Sequence, residues 1–290
     1  MGESASSDVR GLLRAARETL AAAFSGAGAA SAEPALEADI LMTHVLGVSR
    51  AWLFSNAGQR LADDQAEGYR DLVRRRARGE PIAYLTGARE FWSLDFRVTP
   101  DVLIPRPETE LLVGIALAHI PPASGRRIVD LGTGTGAIAV AIAVERPGCE
   151  MHATDISPAA LTVARENIER LAPGRVQLHE GSWLQPVSGT FDLVVSNPPY
   201  VDAGDSHLRQ GDCRFEPATA LTPGKDGLAA IRQIAEDALP RLRPGGMLAF
   251  EHGYEQGEAC RQLLEGLGYI GIRTENDLEG RERVTMGRKG

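Results

Sequence analysis

A chain of 290 residues has room for two domains or one large one. Hydrophobic residues at 43% and charged residues at 24% place it among ordinary globular proteins, and a formal net charge of −8 excludes a global basic field able to hold a nucleic-acid backbone. Cys149, Cys213 and Cys260 are scattered and match no metal-ligand spacing, so free thiols in a reducing compartment and no bound metal are expected.

The longest apolar run, Ala137 to Val144, is far shorter than a membrane span. LAAAFSGAGAA, from Leu20 to Ala30, has a faint look of a secretion signal, but Glu18 precedes it and its apolar core is weak; the chain reads as cytoplasmic. The N-terminal part predicts helices. Val9, Leu12, Leu13, Ala16 and Leu20 recur at helical spacing. Pro34 opens a second helix, with Leu36, Ile40, Leu41 and Val45 as its apolar face and Gly47 closing it. A further helix runs from about Asp63 to Arg78, and RRRAR at its end places cations at the negative end of the dipole, a simpler reading than a nucleic-acid patch.

The texture then changes. In YLTGAREFWSLDFRVTPDVLIPRPETE, Phe91, Leu94, Phe96, Val98, Val102 and Ile104 alternate, which predicts a hairpin of two short strands joining two domains. Phe91 and Trp92 read as hairpin packing, and RPETE is expected to border the ligand pocket. Pro105 and Pro107 end the hairpin, and Glu108 to Ile120 begins a helix. From Arg126 onward, strand, loop and helix repeat. Strands are predicted at Arg127–Leu131, Met151–Thr154, Val176–His179, Phe191–Ser196 and Met247–Glu251, with helices near Ala137–Glu145, Pro158–Leu171, Asp226–Leu242 and Tyr254–Leu267. This alternation implies an α/β fold with a parallel sheet covered on both faces. YIGIRTENDLEGRERVTMG then predicts a closing antiparallel hairpin, which points to a methyltransferase-type sheet rather than a pure dinucleotide fold.

In IVDLGTGTGAIAVAIA a strand ends at Asp130-Leu131, Gly132, Gly134 and Gly136 follow, and a helix starts at once. Glycines let the backbone turn sharply and approach a ligand, and the helix start favours an anionic group. The spacing differs from the pyrophosphate-binding fingerprint. S-adenosylmethionine fits it: a carboxylate without phosphates, and an α-ammonium that Asp130 meets directly or through water. Asp155 closes the next strand, where an acidic side chain accepts both ribose hydroxyls. Trp183 follows the third strand, either as core or as a wall for the adenine.

SNPPY, Ser196 to Tyr200, ends the fourth strand on the same edge. Neither Pro198 nor Pro199 has an N–H to continue a ladder. An amide nitrogen is a poor nucleophile because its lone pair is delocalised into the carbonyl. The Asn197 side-chain carbonyl and the Pro198 backbone carbonyl, each accepting one N–H, aim such a nitrogen at a sulfonium methyl and stabilise charge developing on it. Tyr200 packs against the planar acceptor. His252 reads as a satisfied structural histidine. The loop from Val201 to Asp226 is expected to cover the acceptor, with Arg214 and Glu216 paired.

GAREFWSLDFRVTPDVLIPRPETE, DLGTGTGAIAVAIA, ATDISPAAL, SNPPYV, GDCRFEPATALTPGKDGL and EHGYEQGEACR together resemble the bacterial release factor glutamine methyltransferases, or HemK-type proteins, over nearly the whole chain. The resemblance implies a class I S-adenosylmethionine-dependent methyltransferase fold, Rossmann-like with a mostly parallel seven-stranded sheet, behind a helical N-terminal domain and a β-hairpin linker. The corresponding division is 1–82, a helical substrate-docking domain, 83–107, the linker, and 108–290, the catalytic domain. It implies methyl transfer to the N5 of the glutamine in the Gly-Gly-Gln motif of peptide chain release factors, with S-adenosylhomocysteine as product. It implies cofactor contacts from Asp130, Gly132, Thr133, Gly134, Thr135, Gly136, Asp155, Trp183 and Asn197. Asn197, Pro198, Pro199 and Tyr200 would hold the glutamine. Ser182 stands where many methyltransferases place an acidic residue facing the adenine amino group. Glutamine methylation of a large-subunit ribosomal protein shares this architecture, and adenine-N6 methyltransferases share the N-P-P-Y turn; the acidic net charge argues against direct nucleic-acid binding.

Overall fold

The computed structural model describes residues 7–25, 33–122, 125–209, 211–224 and 226–290, in two compact units. Residues 26–30, the glycine-rich end of LAAAFSGAGAA, lie outside them. Among the described residues no helix is long and apolar enough to cross a membrane.

The first unit spans 1–87 together with 210–215. Its helices are α1 (Val9–Phe24), α2 (Pro34–Leu46), α3 (Arg50–Ser55), α4 (Asp63–Ala77) and α5 (Ile82–Thr86). Asp8 caps α1 by accepting the Gly11 N–H at 2.8 Å. Val9, Leu12, Leu13, Ala16 and Leu20 are all buried, as their spacing predicts. The apolar face of α2 is rotated from the predicted one. Ala38, Leu41 and Met42 turn inward, while Leu36 and Ile40 are half-buried. The rotation buries Asp39 where Arg17 and Arg50 neutralise it at 2.8 and 2.9 Å. The arginines ending α4 are structural: Arg74 pairs with Asp71, Arg75 with Glu80, and Arg76 with Glu37. In the returning segment, Arg214 donates to the Arg78 carbonyl, and Asp212 lies 3.6 Å from Arg76. The short α3 and α5 escape periodicity, since a helix of one to two turns shows no full repeat.

The second unit begins with the hairpin of β1 (Ala88–Phe91) and β2 (Leu94–Arg97). Trp92 and Ser93 form its two-residue turn, both at positive φ (53° and 56°). The Trp92 N–H donates to Glu110 at 2.7 Å and its indole N–H to Glu145 at 3.1 Å, which holds the turn in place. Phe91 and Phe96 enter the main core. A 3₁₀ turn at Pro107–Thr109 leads into α6 (Glu110–His119). Then come β3 (Arg127–Leu131), α7 (Ala137–Glu145), β4 (Glu150–Asp155), α8 (Pro158–Leu171), β5 (Val176–Glu180) and β6 (Phe191–Ser196). The remainder comprises α9 (Ala218–Leu221), α10 (Ala229–Arg241), β7 (Leu242–Glu251), α11 (Gly257–Leu267), β8 (Ile270–Asn276) and β9 (Glu282–Arg288).

The seven strands lie in the order β5-β4-β3-β6-β7-β9-β8. Pairing is parallel from β5 to β7, and β9 runs antiparallel to both its neighbours. This is the mostly parallel sheet with a reversed closing hairpin that the strand pattern predicts. Every residue of β6 is buried, the expected result for a strand covered on both faces. β7 starts earlier than its apolar run. Pro244 and two glycines look like a turn, yet Leu242 already pairs with Phe191. Chain order reverses between β3 and β6, so the carboxyl ends there form the switch point at which open α/β sheets bind ligands.

Asn167, fully buried on α8, ties this edge to the hairpin. Its carbonyl accepts the Arg97 N–H at 2.8 Å, and its amide donates to the Arg97 and Thr135 carbonyls at 3.0 Å each. Asn167→Ala leaves three backbone groups without partners and is expected to cost about 2–4 kcal/mol in denaturant unfolding; a loss under about 0.5 kcal/mol would show that these bonds do not hold the two pieces together.

Asp130, on β3, is also fully buried, and burial pushes its carboxyl up to about 7, against the opposing Thr133 hydroxyl and Ala139 N–H donors. From its unfolded value of 3.8 up to 7 the folded chain keeps a proton that the unfolded chain has released, so stability falls as pH rises through that window. Relative to Asp130→Asn, the wild type is expected to lose on the order of 2 kcal/mol between pH 5 and 8. Parallel unfolding curves at the two pH values would contradict this.

Candidate active site

The glycine loop leaves β3 with Gly132, Gly134 and Gly136 all left-handed (φ +69°, +56° and +81°), a conformation strained for any side chain. The Gly132 and Thr133 N–H groups both donate to the Thr154 carbonyl at 2.9 Å. The Gly134 N–H donates to one oxygen of Asp155 at 2.9 Å, and the Ser157 N–H to the other at 2.9 Å. Asp155 therefore links the loop to the start of α8. A Cβ on Gly132 would lie 3.2 Å from the Trp183 ring, so glycine is required there by close approach as well as by φ. Trp183 is itself left-handed at φ 45°.

Between these pieces lies a cavity of about 500 Å³, formed wholly within the second unit. Gly132, Gly134, Asp155, Trp183, Asn197 and Pro199 line it. Pro100–Leu103, Pro217, Thr219 and Ala220 also line it. Asp130, Thr133, Thr135, Gly136, Pro198 and Tyr200 are not among its lining residues. Asp130 is completely buried; Thr133 Oγ1 donates to it at 2.6 Å, and its Oδ1 has no hydrogen-bond partner. Thr135 lends its carbonyl to Asn167, and Gly136 starts α7. Ser182 is on the wall. So is Ile156, which sequence reasoning passed over. It is 70% exposed, although apolar, because it faces into the cavity beside Asp155. The available signal was a large aliphatic side chain between a strand-ending acid and the helix-capping Ser157.

The loop beyond Tyr200 corrects one expected pairing. Glu216 does not meet Arg214. It pairs with Arg106 and accepts the Ile104 N–H at 3.0 Å, which fastens the loop to the segment after the hairpin. RPETE reaches the site through Thr109 rather than along the cavity wall, which takes the preceding Pro100–Leu103 instead.

Asn197 donates through Nδ2 to Thr109 Oγ1 at 3.0 Å. Thr109 donates onward to Glu251 Oε2 at 2.6 Å, and the Tyr200 hydroxyl donates to Glu251 Oε1 at 3.0 Å. Gln256 Nε2 donates to the Tyr200 carbonyl at 3.1 Å. Among the described residues, Asn197 Oδ1 and the Pro198 carbonyl accept no hydrogen bond. Burial raises the Glu251 carboxyl and the Tyr200 phenol above their ordinary values, so the phenol remains a donor. His252 is fully buried between the Gly253 carbonyl and Thr285 Oγ1, both at 2.8 Å, and desolvation lowers its pKa; it is a neutral structural group. Among the described residues no cluster of His, Cys, Asp and Glu has the form of a metal site.

The family model of the PrmC N-terminal domain matches residues 12–87, and that of the methyltransferase small domain matches residues 109–256. A release factor glutamine methyltransferase of Xylella fastidiosa (strain Temecula1) is 50% identical over 254 residues, covering 87% of this chain and 92% of that protein. The Escherichia coli (strain K12) protein of the same name is 47% identical over 260 residues, covering 89% of this chain and 94% of its own. Among solved structures, a methyltransferase from Pyrococcus furiosus superposes with a TM-score of 0.53 at 22% identity, over 75% of this chain and 97% of that one, a likeness of fold. With about half of its residues shared along nearly its whole length, the chain belongs to the release factor glutamine methyltransferase family.

Proposed function

We propose that the protein transfers a methyl group from S-adenosylmethionine to the side-chain N5 of the glutamine in the Gly-Gly-Gln motif of peptide chain release factors. The observation that carries this reading is the pair of unspent carbonyl oxygens at Asn197 and Pro198, beside a glycine cradle at the sheet's switch point.

The cavity suits the methyl donor. Gly132 and Gly134 leave backbone room that a Cβ would fill, and Ile156 and Trp183 offer apolar surface for a purine. Asp155, which ends β4 and lines the cavity, accepts the ribose hydroxyls in this reading. Asp130 acts from behind the loop, since it is buried away from the wall. When bound, S-adenosylmethionine supplies an electrophilic methyl group and leaves as the thioether S-adenosylhomocysteine. The chain's own part is orientation. Asn197 Oδ1 and the Pro198 carbonyl each take one N–H of the glutamine carboxamide, which aims the nitrogen's lone pair at the methyl donor. The same oxygens stabilise the positive charge that develops on nitrogen. Pro198 and Pro199 fix the turn, and Tyr200 flanks the planar amide. The methylated nitrogen is then acidic enough to release its proton to water, so no strong base is required.

The helical unit grips the release factor away from the chemistry. If so, labelled-methyl transfer to an intact release factor is expected to exceed transfer to a short Gly-Gly-Gln peptide by at least about tenfold in kcat/KM, an extra binding contribution of about 1.4 kcal/mol. Equal values would remove the docking role.

The reaction itself is tested by offering labelled S-adenosylmethionine with a purified release factor, a large-subunit ribosomal protein or DNA, with a Gln→Ala release factor as control. Label is expected on the release factor alone and to vanish in the control. Asn197→Ala is expected to lower kcat by on the order of a hundredfold while a cofactor titration changes little. Normal turnover by this variant would rule out the carbonyl clamp.

A further inference from the structure

We infer that Glu251 is a positioning residue that decides which end of the Asn197 amide faces the substrate, acting through Thr109 and Tyr200. This deepens the reaction proposed above and rests on it. Glu251 is the last residue of β7 and is 1% exposed. Its hydrogen-bond partners are two hydroxyls from distant parts of the chain, Thr109 at 2.6 Å and Tyr200 at 3.0 Å. Among the described residues it forms no ion pair, although burying a carboxylate in this way is unfavourable. Desolvation raises its pKa, and the Thr109 and Tyr200 hydroxyls oppose that rise by donating to it, which favours the acceptor form of the carboxylate.

With a hydroxyl donating to each of its oxygens, the Glu251 carboxylate serves at both ends as an acceptor. Each hydroxyl has a single hydrogen, and both are directed at Glu251. Thr109 Oγ1 then has only lone pairs to offer to Asn197, 3.0 Å away. It therefore accepts from Nδ2, and the Asn197 amide is locked with its carbonyl oxygen outward. Turned over, the amide would set Oδ1 against the Thr109 lone pairs and present an NH2 to a substrate NH2, donor against donor. The second hydroxyl anchors the other end of the N-P-P-Y turn, because Tyr200 is held at its ring by Glu251 and at its carbonyl by Gln256. One carboxylate thus orients both the residue that grips the acceptor amide and the ring that flanks it. A glutamine at position 251 would preserve size but not direction: its amide can donate to Thr109, which frees the threonine hydrogen to point at Asn197 and lets the asparagine flip.

The test compares Glu251→Gln, Thr109→Val and Thr109→Ser in the full chain. The readouts are kcat and KM for a release factor, a cofactor titration, and thermal unfolding. Glu251→Gln and Thr109→Val are expected to lower kcat tenfold to a hundredfold, with KM and cofactor affinity within about threefold of wild type. Thr109→Ser, which keeps the hydroxyl, is expected to restore kcat to within about threefold. Adding Glu251→Gln to Asn197→Ala is expected to cost clearly less than Glu251→Gln costs alone, because the two changes share the oriented carbonyl and only the Tyr200 contact is still to be lost. Should Glu251→Gln fail to fold, the isosteric Thr109→Val carries the comparison. Wild-type kcat in Glu251→Gln or Thr109→Val, with Asn197→Ala inactive, would overturn the positioning role and leave the proposed reaction standing. Full additivity in the double variant, or a loss confined to KM or cofactor affinity, would overturn it equally. An active Asn197→Ala would instead overturn the carbonyl clamp on which the positioning role rests, and no label on the release factor with the wild-type chain would overturn the proposed reaction itself.

Discussion

The hydrogen bond from Asn197 Nδ2 to Thr109 Oγ1 sets the polarity of the whole carboxyl edge. Folded proteins rarely leave buried carbonyls unused. Here the half-buried Asn197 side chain and the Pro198 backbone keep two carbonyls unspent by local means. β6 ends at Ser196, and of the next three residues only Asn197 has a backbone N–H, so the strand cannot continue its ladder through Pro198 and Pro199. The Pro198 carbonyl lies past the last paired residue of the strand and accepts no bond among the described residues. Asn197 avoids satisfying its own oxygen because its nitrogen is tied back to the segment after the hairpin. A turn that appears merely to end a strand is therefore a way of holding acceptors free at a fixed place.

The cradle on the other side of the cavity is built with equal economy. Asp155 accepts from Gly134 and from Ser157, so the glycine loop and the first turn of α8 share one carboxylate. The far part of α8 supplies Asn167, which holds Thr135 at the end of that loop and Arg97 in β2. α8 thus connects the cradle to the hairpin through side-chain bonds to backbone, which have little freedom to slide. The hairpin's own turn, at positive φ in Trp92 and Ser93, is held by Glu110 and Glu145. Strain at that turn is offset where it pins the segment leading to the cavity wall.

The strands, the sheet class and the glycine loop were legible because each rests on a short-range pattern. Buried parallel strands are continuous apolar runs, and β3 and β6 fall at the predicted residues. What escaped depends on distant partners. The face of α2 turned because Asp39 meets Arg17 and Arg50, which no helical period encodes. Glu216 lies beside Arg214 in sequence but pairs with Arg106, across the fold. Thr109 and Glu251 were equally invisible. A threonine after a proline and a glutamate ending a strand have no signature until β6 and β7 place them against the same asparagine and tyrosine. Ile156 was readable in principle, as a large aliphatic side chain set between a strand-ending acid and a helix-capping serine.

The treatment of buried carboxylates separates structural from functional regions of this chain. Asp39 is neutralised by Arg17 and Arg50, Asp192 by Arg126 and Arg243, and Glu216 by Arg106. In each case an arginine compensates the lost hydration. Asp130 and Glu251 differ: each is buried, each has its pKa raised by desolvation, and neither has an ion-pair partner among the described residues. Arg283 acts on Glu251 only at longer range, being bonded to Asp277. Both uncompensated groups stand at the carboxyl edge of the sheet, Asp130 near the end of β3 beside the glycine loop and Glu251 at the end of β7, bonded to the tyrosine of the N-P-P-Y turn. An arginine placed against either would stabilise the fold, but its five donors would compete for the same oxygens that Thr133, Thr109 and Tyr200 now occupy. The hydroxyl donors give up stability and gain direction, because a single hydrogen can be aimed at only one acceptor.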